Sequence, residues 1–452
     1  MRNKKLKLTT TQIILAGFLG VIFVGSLLLS LPISSANGTA VQYIDALFTA
    51  TTATCVTGLV TLTTASTWSL FGQAVILLLI QVGGMGVITV MSGFMIMLNR
   101  KIGLANRVLI QDSFNLDTLS GLVAFVKKVI MGTFVIEGVG ALLYMFVFVP
   151  EFGIKGIWYS VFNSVSAFCN AGIDIISDNS LCNYATNLPI NIVTSLLIIL
   201  GGLGYIVWWD VFRVVKMFPK LRLKCLKRLS LHSKIALFTT AVLIFGGAAL
   251  IFVFEFNNPL TVKDMNLFDK LQIALFQSVT TRTAGFATIP QQNLTNASSV
   301  ISLILMFIGG SPVGTAGGVK TVTVAVLLAA TIAVVNNKND VNLFLRRIQE
   351  QTVLKSVAVV MMSLIILTVS SVSLSAVTNA DFIDIIFETV SATATVGLSR
   401  NLTPSLNIAG KIIIIITMYL GRVGPISLAF AFRMKKQSQN TIKNPTESIS
   451  VG

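Results

Sequence analysis

The sequence predicts an all-α membrane protein in which four helix–pore-loop–helix repeats, with eight transmembrane helices, surround one pore in a pseudo-fourfold arrangement. Three observations carry this prediction. Long apolar runs extend along the whole chain, a polar segment ending in glycine recurs four times at a nearly constant spacing, and the basic residues cluster between alternate apolar runs.

The apolar runs predict the membrane helices. Of the 452 residues, 54% are hydrophobic and only 11% are charged, whereas a soluble domain carries about 25% charged residues. Crossing the hydrocarbon core takes about 20 apolar residues, and the runs leave room for no separate soluble domain. The predicted spans are 10–33, 68–98, 123–149, 190–212, 232–254, 297–335, 353–378 and 405–432, followed by a polar tail at 433–452.

The distribution of charge predicts the topology. If both termini lie in the cytoplasm and the spans alternate, the inner segments hold 25 of the 33 Lys and Arg residues and the outer segments hold 6. This asymmetry follows the positive-inside rule, so the net charge of +16 does not indicate a nucleic-acid-binding protein. Ten of the 17 acidic residues fall outside. A negative outer mouth would concentrate cations there, although solvated loop acids would look the same.

Four polar segments, each too short to cross the membrane, lie between successive pairs of spans. Each begins with Phe, continues with small and hydroxyl residues, and ends with Gly before an apolar residue. The final glycines are separated by 114, 113 and 112 residues, and the third segment is one residue shorter than the others. A period sustained over the chain indicates an internal repeat. The segments are FTATTATCVTGL (48–59), FNSVSAFCNAGI (162–173), FQSVTTRTAGF (276–286) and FETVSATATVGL (387–398).

The predicted repeats follow from this register. They cover residues 1–98, 99–212, 213–335 and 336–432. Their pore loops are predicted at 43–59, 157–173, 268–286 and 382–398.

The chemistry of these segments favours a cation. A polar segment that enters the membrane without crossing it must be buried in protein or line a water-filled cavity. Half-helices at 43–54, 157–168, 268–280 and 382–393 would point their negative dipole ends at the pore. The residues after them would present carbonyl oxygens to the ion, and glycine would leave the lumen open. The predicted filter residues are Val56, Thr57, Gly58, Asn170, Ala171, Gly172, Thr283, Ala284, Gly285, Thr395, Val396 and Gly397.

A second glycine motif follows each segment inside the next span. It reads GGMG (83–86), GGLG (201–204), GGSP (309–312) and GRVG (421–424). In the first two copies, close helix packing or a bend explains the glycines. In the third copy, Pro312 and five glycines interrupt the helix over 309–321, and this segment is expected to lie beneath the filter. The predicted gate residues are Gly309, Gly310, Ser311, Pro312, Gly314, Thr315, Gly317, Gly318, Lys320 and Arg422.

Two charged residues lie within predicted spans. Arg422 at mid-span costs about 3 kcal/mol to insert and is interpreted as part of the pore, the alternative being an arginine that reaches the cytoplasmic interface. Glu137 has no evident partner in the sequence, and its role stays open. An enzyme is not favoured, because His232 is the only histidine and GTAGGVKT (314–321) lacks both a glycine and the strand that a phosphate-binding loop needs.

The four glycine-terminated loops on one chain resemble those of the Trk, Ktr and HKT superfamily of potassium transporters. With eight predicted spans and none added before the first repeat, the chain is similar to the KtrB membrane subunits of bacterial Ktr uptake systems. The resemblance implies that Gly58, Gly172, Gly285 and Gly397 form a potassium filter. It also implies that loop 309–321 gates the pore and that Arg422 is a positive barrier touching this loop.

The resemblance further implies partners. It predicts a homodimer in the bacterial cytoplasmic membrane, each protomer with its own pore, and a cytosolic KtrA-type ring subunit that binds the nucleotide. No cofactor is expected in this chain, and only some relatives couple uptake to sodium. Sodium coupling and the role of the tail at 433–452 stay open. The alternative is a secondary solute transporter with inverted repeats, but all four repeats here begin on the inside.

Overall fold

The first helix of each repeat is continuous and long enough to cross a membrane. The computed structural model describes residues 9–98, 103, 107–111 and 121–424. Two of these helices begin at hydroxyl caps, since Thr9 forms a capping box with Gln12 and Ser230 accepts from the Ser233 backbone N–H. The four first helices are Thr10–Leu29, Leu122–Phe152, Leu231–Glu255 and Glu350–Ser375.

A shorter pore helix follows each first helix. The four pore helices match the predicted half-helices to within two residues, which confirms that part of the repeat. The phenylalanine that opens each polar segment is fully buried in every copy and anchors the pore helix in the protein interior. The pore helices are Tyr43–Cys55, Lys155–Cys169, Leu267–Thr280 and Phe382–Ala394.

The second helix of each repeat begins at a polar cap. Ser69, Asn187, Thr295 and Asn407 each accept a hydrogen bond from the backbone N–H three residues further on, which satisfies one of the free donors of a helix start. The second helices are Leu70–Met85, Leu188–Leu203, Asn296–Phe307 and Ile408–Val423.

The glycine motifs break these second helices. Gly86, Gly204 and Gly424 adopt φ angles of 85°, 85° and 87°, a conformation that glycine reaches at no steric cost. The first two breaks turn the chain by 98° and 101° into Val87–Met97 and Tyr205–Val215. The predicted spans 68–98 and 190–212 are therefore bent pairs of helices and not continuous helices, because the last glycine of each motif bends the chain.

The third and fourth repeats differ after the break. In the third repeat, a non-helical loop separates the second helix from Thr321–Val335. In the fourth, the end of the predicted last span and the tail at 433–452 lie outside the described residues. The described part of the chain has four helices that can span a membrane, or up to six if each bent pair is one span. The count of eight spans stays a prediction.

Short elements complete the described chain. A two-stranded antiparallel hairpin pairs Asn342–Leu343 with Arg346–Arg347. The remaining helical turns are Pro32–Ser34, Thr64–Thr67, Cys182–Tyr184, Phe218–Leu221, Arg222–Arg228, Gln291–Asn293 and Thr403–Ser405.

The four repeats close into a ring. The second helix of each repeat packs on the pore helix of the next, and the second helix of the fourth repeat, Ile408–Val423, packs on the first pore helix, Tyr43–Cys55. The same rule holds at all four junctions. This closure confirms the predicted fourfold arrangement of helix–pore-loop–helix units.

Ion pairs lock two parts of this ring. Lys411 contacts Asp45 at 2.6 Å across the junction between the fourth and first repeats. Arg400 contacts Asp384 at 2.6 Å and donates to the Ser299 hydroxyl at 2.9 Å, which joins the fourth repeat to the third. Two of the acids expected at a negative outer mouth are thus neutralised by partners.

Removing one partner of the pair that closes the ring should destabilise the protein. Lys411→Ala should lower the free energy of unfolding by about 3 kcal/mol, because Asp45 would stay buried without its countercharge. Thermal unfolding of the purified protein in detergent measures this loss. The matched control is the double variant Asp45→Asn/Lys411→Met, which removes both charges and should lose less. Equal losses in the two variants would contradict a cost of leaving Asp45 buried without its countercharge.

Candidate functional site

The four filter segments share one backbone conformation. The residue two positions before each filter glycine is left-handed, with φ angles between 51° and 65°, and the glycines themselves have φ angles of 62° to 98°. The third copy reaches the same geometry although it is one residue shorter. The left-handed residues are Val56, Asn170, Thr283 and Thr395.

The filter glycines form a closed ring. A Cβ atom added to Gly285 would lie 2.6 Å from the Val396 carbonyl oxygen of the next repeat. At each of the other three glycines it would likewise meet the carbonyl oxygen that precedes the glycine of the following repeat. The contact order runs from the first repeat to the fourth and back to the first. The four carbonyls belong to Thr57, Ala171, Ala284 and Val396.

Hydroxyl groups hold these segments from behind. The backbone N–H groups of Gly58 and Gly397 donate at 3.0 Å to Thr52 and Ser391, which lie six residues earlier on the pore helices. Ser166 exchanges two hydrogen bonds with the backbone of Ile173. In the shorter third copy, Thr280 donates to the Phe286 carbonyl at 2.6 Å. Sequence reasoning missed these four supports, although an aligned hydroxyl five or six residues before each filter glycine was a visible signal.

The interrupted segment of the third repeat folds into a compact loop. The Gly309 N–H donates to the Val319 carbonyl at 2.9 Å, and the Val319 N–H donates to the Phe307 carbonyl at 3.1 Å. Residues 309–320 are all buried or half-buried. Every predicted gate residue except Arg422 lies in this one loop, which we call the intramembrane loop (309–320).

The intramembrane loop sits in the bend of the second repeat. The backbone N–H groups of Ser311 and Thr315 donate to the carbonyls of Gly202 and Gly201 at 2.8 and 3.1 Å. In return, the Tyr205 N–H donates to the Val313 carbonyl at 3.0 Å. The bent helix therefore supplies backbone groups that hold the loop.

The intramembrane loop also touches the base of the filter. The Thr315 hydroxyl donates to the Phe168 carbonyl at the end of the second pore helix, at 3.0 Å. A Cβ atom on Gly317 would lie 2.6 Å from the Ala394 carbonyl at the end of the fourth pore helix. The loop is thus in contact with two of the four pore-helix ends.

Three basic side chains contact backbone carbonyl oxygens of the intramembrane loop. Arg422 donates to the Thr315 carbonyl at 2.5 Å and to the Gly83 carbonyl of the first repeat. Lys320 turns back to the Ala316 carbonyl at 2.6 Å, and Arg282 lies 3.4 Å from the Gly309 carbonyl. None of the three forms an ion pair within the described residues. These carbonyl contacts favour the pore interpretation of Arg422 over an arginine reaching the interface.

Glu137 has partners that the sequence did not reveal. Gln81, on the second helix of the first repeat, donates to its carboxylate at 3.1 Å. Cys169, at the end of the second pore helix, lies 3.7 Å from the same carboxylate, and Ser164 donates to the Glu137 backbone carbonyl at 2.6 Å. The sequence showed no evident partner for Glu137, because its partners are distant in sequence and meet it only at the junction of the first two repeats.

The carbonyls form a closed ring at the ends of four pore helices, and apolar helices surround the pore helices. This arrangement defines a multi-pass membrane protein of the pore-loop class. The chain belongs to the TrkH family of cation transport proteins, whose family model matches residues 5–444. The predicted resemblance to this superfamily is confirmed.

Several proteins are similar to the chain over its whole length. The potassium/sodium uptake protein NtpJ of Enterococcus hirae is 39% identical over 452 residues, covering 99% of this chain and 98% of that protein. The Ktr system potassium uptake protein B of Bacillus subtilis is 37% identical over 450 residues, with the same coverage. The crystal structure of the potassium transporter TrkH from Vibrio parahaemolyticus matches with a TM-score of 0.72 at 17% identity, covering 96% of this chain and 87% of that one. This structural match supports the fold.

The placement of Arg422 predicts a barrier to cation flux. A cation about 6 Å from the guanidinium is repelled by roughly 3 kcal/mol at an effective dielectric of about 20. Arg422→Ala should therefore raise flux by up to about a hundredfold if passage of this point limits conduction. Flux into liposomes, normalised to monodisperse protein, measures the effect.

Arg422→Lys is the matched control, since it keeps the charge and should retain most of the restriction. A structural arginine would behave differently: the Ala variant would lose yield or stability without any rise in flux per folded molecule. Equal normalised flux in the parent and the Ala variant would rule out the barrier.

Proposed function

We propose that this chain takes up potassium across the bacterial cytoplasmic membrane through the ring of filter carbonyls. The observation that carries the proposal is the cyclic contact of each filter glycine with the carbonyl of the next repeat. Rings of backbone carbonyls replace the hydration shell of potassium in selective pores. The printed names of the full-length relatives, which describe potassium or potassium/sodium uptake, support the same ion.

The filter works through geometry that backbone groups impose. The four pore helices end at the filter, so their negative dipole ends favour a cation there. Glycine in all four repeats keeps side chains out of the lumen, and the hydroxyl supports behind each segment resist its collapse. The hydroxyls of Thr57, Thr283 and Thr395 are buried without a protein partner among the described residues. Water or a passing cation would satisfy them.

The intramembrane loop is the gate in this proposal. It contacts two pore-helix ends, and it is held by backbone hydrogen bonds and by Arg422. Moving the loop would break hydrogen bonds that water in the pore can replace. We infer that conduction requires displacement of the loop away from the filter.

The control of the gate is assigned to a partner. Three of the relatives are named as potassium uptake proteins of a Ktr system. We therefore propose a cytosolic KtrA-type ring subunit that binds the nucleotide, and a homodimer in which each protomer has its own pore. The distribution of basic residues supports termini on the cytoplasmic side. No resident cofactor is assigned to this chain, and potassium is its cargo.

Ion uptake tests the proposal directly. The chain is expressed in cells that lack potassium uptake systems, and isotopic rubidium entry is followed with and without sodium. We expect rubidium uptake that restores growth at low potassium. The absence of uptake by protein shown to be folded and in the membrane would overturn the proposal. A dependence of rubidium uptake on sodium would indicate that the chain couples potassium uptake to sodium.

Selectivity should depend on the filter glycines. Gly58→Ser should reduce the preference for potassium over sodium about tenfold, a loss of about 1.4 kcal/mol in differential binding. Gly58 has a φ angle of 98°, and a Cβ there would collide with the Ala171 carbonyl, so the ring must distort. Sodium inhibition of rubidium uptake gives the preference.

The control variant is Gly246→Ser, in a first helix where an added Cβ meets nothing within 4 Å. It should leave selectivity unchanged. Sodium inhibition that is identical in the Gly58→Ser variant and the parent would remove Gly58 from the filter.

A further inference from the structure

The connection between the third and fourth repeats carries an exposed hairpin. Its strands, Asn342–Leu343 and Arg346–Arg347, flank a two-residue turn formed by Phe344 and Leu345. The helix before it, Thr321–Val335, starts directly after the intramembrane loop. The hairpin therefore lies on the segment that leaves the gate.

The turn of this hairpin has an unfavourable sequence for its conformation. Phe344 and Leu345 adopt φ angles of 47° and 62°, and two-residue hairpin turns of this kind strongly prefer Asn and Gly. Bulky residues in the left-handed region are strained. Leu345 is fully exposed, at 103% of its reference area, and Phe344 is 46% exposed. The turn thus displays two apolar side chains at a conformational cost, which the contacts within the described chain do not explain.

The position of the tip indicates what surrounds it. The Phe344 ring packs edge-on against Phe238, with centroids 6.0 Å apart. Phe238 lies seven residues into the membrane-spanning helix Leu231–Glu255, about 10 Å along its axis. It is 61% exposed, so it faces the surroundings of the protein rather than its core. The tip of the hairpin therefore lies beside a helix that is long and apolar enough to span a membrane, about two turns from the end of that helix that the charge distribution places on the cytoplasmic side.

Basic residues flank the apolar tip. Arg346 and Arg347 are exposed on the second strand, and Lys338 is exposed just before the first. Arg347 contacts Asp340 at 3.0 Å, which leaves an excess of positive charge on the hairpin. Each Lys or Arg near an anionic membrane surface strengthens attachment about fivefold. Apolar residues next to basic ones are the composition of segments that lie in the membrane interface.

We propose that the hairpin is an interfacial anchor that inserts Phe344 and Leu345 among the acyl chains and binds the phosphate groups of anionic phospholipids through Arg346 and Arg347. The bilayer replaces water around the two apolar side chains, which offsets the strain of the turn. The proposal rests on the proposed function only for the cytoplasmic orientation of this connection. Through this anchor, the lipid composition of the inner leaflet would influence the segment that follows the intramembrane loop.

Site-directed fluorescence tests the insertion. Leu345→Cys is labelled with an environment-sensitive fluorophore in a Cys182→Ser background, because the other three cysteines are buried. The full chain is reconstituted in liposomes of phosphatidylcholine and phosphatidylglycerol, with lipids brominated on their acyl chains as quenchers. Leu345 packs on nothing that its replacement would disturb, given its exposure. The matched control is Asn339→Cys, an exposed position on the same connection.

We expect the probe at Leu345 to be quenched by the brominated lipids at least twofold more than the probe at Asn339, and to be protected from iodide in solution. Quenching equal to that of the control, with the probe fully accessible to iodide, would overturn the proposal. It would indicate instead that the tip binds a soluble protein partner. Because this measurement requires no transport, it separates failure of the anchor from failure of the proposed function.

A second experiment tests the binding of anionic lipid headgroups by the two arginines. With bromine placed either on phosphatidylglycerol or on phosphatidylcholine, the probe at Leu345 should be quenched about twofold more by the anionic lipid. Arg346→Gln/Arg347→Gln should abolish this preference, and Arg346→Lys/Arg347→Lys should keep it. A preference unchanged in the Gln variant would overturn the assignment of the two arginines.

Discussion

The close approach of each filter glycine to the carbonyl of the next repeat is the constraint on which the rest of the structure depends. A side chain at any of these four positions would collide with the backbone of the next repeat, so the ring would have to distort. The pore helices, their buried phenylalanines and their hydroxyl supports hold four separate segments within that distance. The ring of second helices packed on the following pore helices keeps the four repeats in register.

The intramembrane loop follows from the same fourfold plan with one repeat altered. The first two second helices bend by about 100° at a glycine, while the third breaks into a loop that fills the bend of the second. Backbone hydrogen bonds hold this loop, so its stability is local and modest. Arg422 adds a charge that finds carbonyl partners from the loop and from the first repeat. One side chain therefore links three repeats beside the intramembrane loop.

Buried polar groups serve as joints between repeats. Glu137 joins the first two repeats through Gln81, and Lys411 with Asp45 joins the fourth to the first. Removing such groups from water costs free energy, so their burial does not raise the stability of the protein by itself. They are strongly directional, however, and removing one partner leaves the other buried and unsatisfied. They thus favour a single arrangement of the repeats.

The sequence by itself determined the membrane class, the fourfold repeat and the pore helices to within two residues, and it singled out the four glycines that the structure brings together in one ring. Hydropathy and a fixed period are properties of the linear chain, so they can be read directly from the sequence. Only the tertiary structure decided the partners of Glu137 and Asp45, the position of the intramembrane loop in the bend of the second repeat, and the contact of Phe344 with Phe238. Each depends on contacts between residues far apart in the chain, whose distances the packing of the repeats sets and whose spacing in sequence carries no signal.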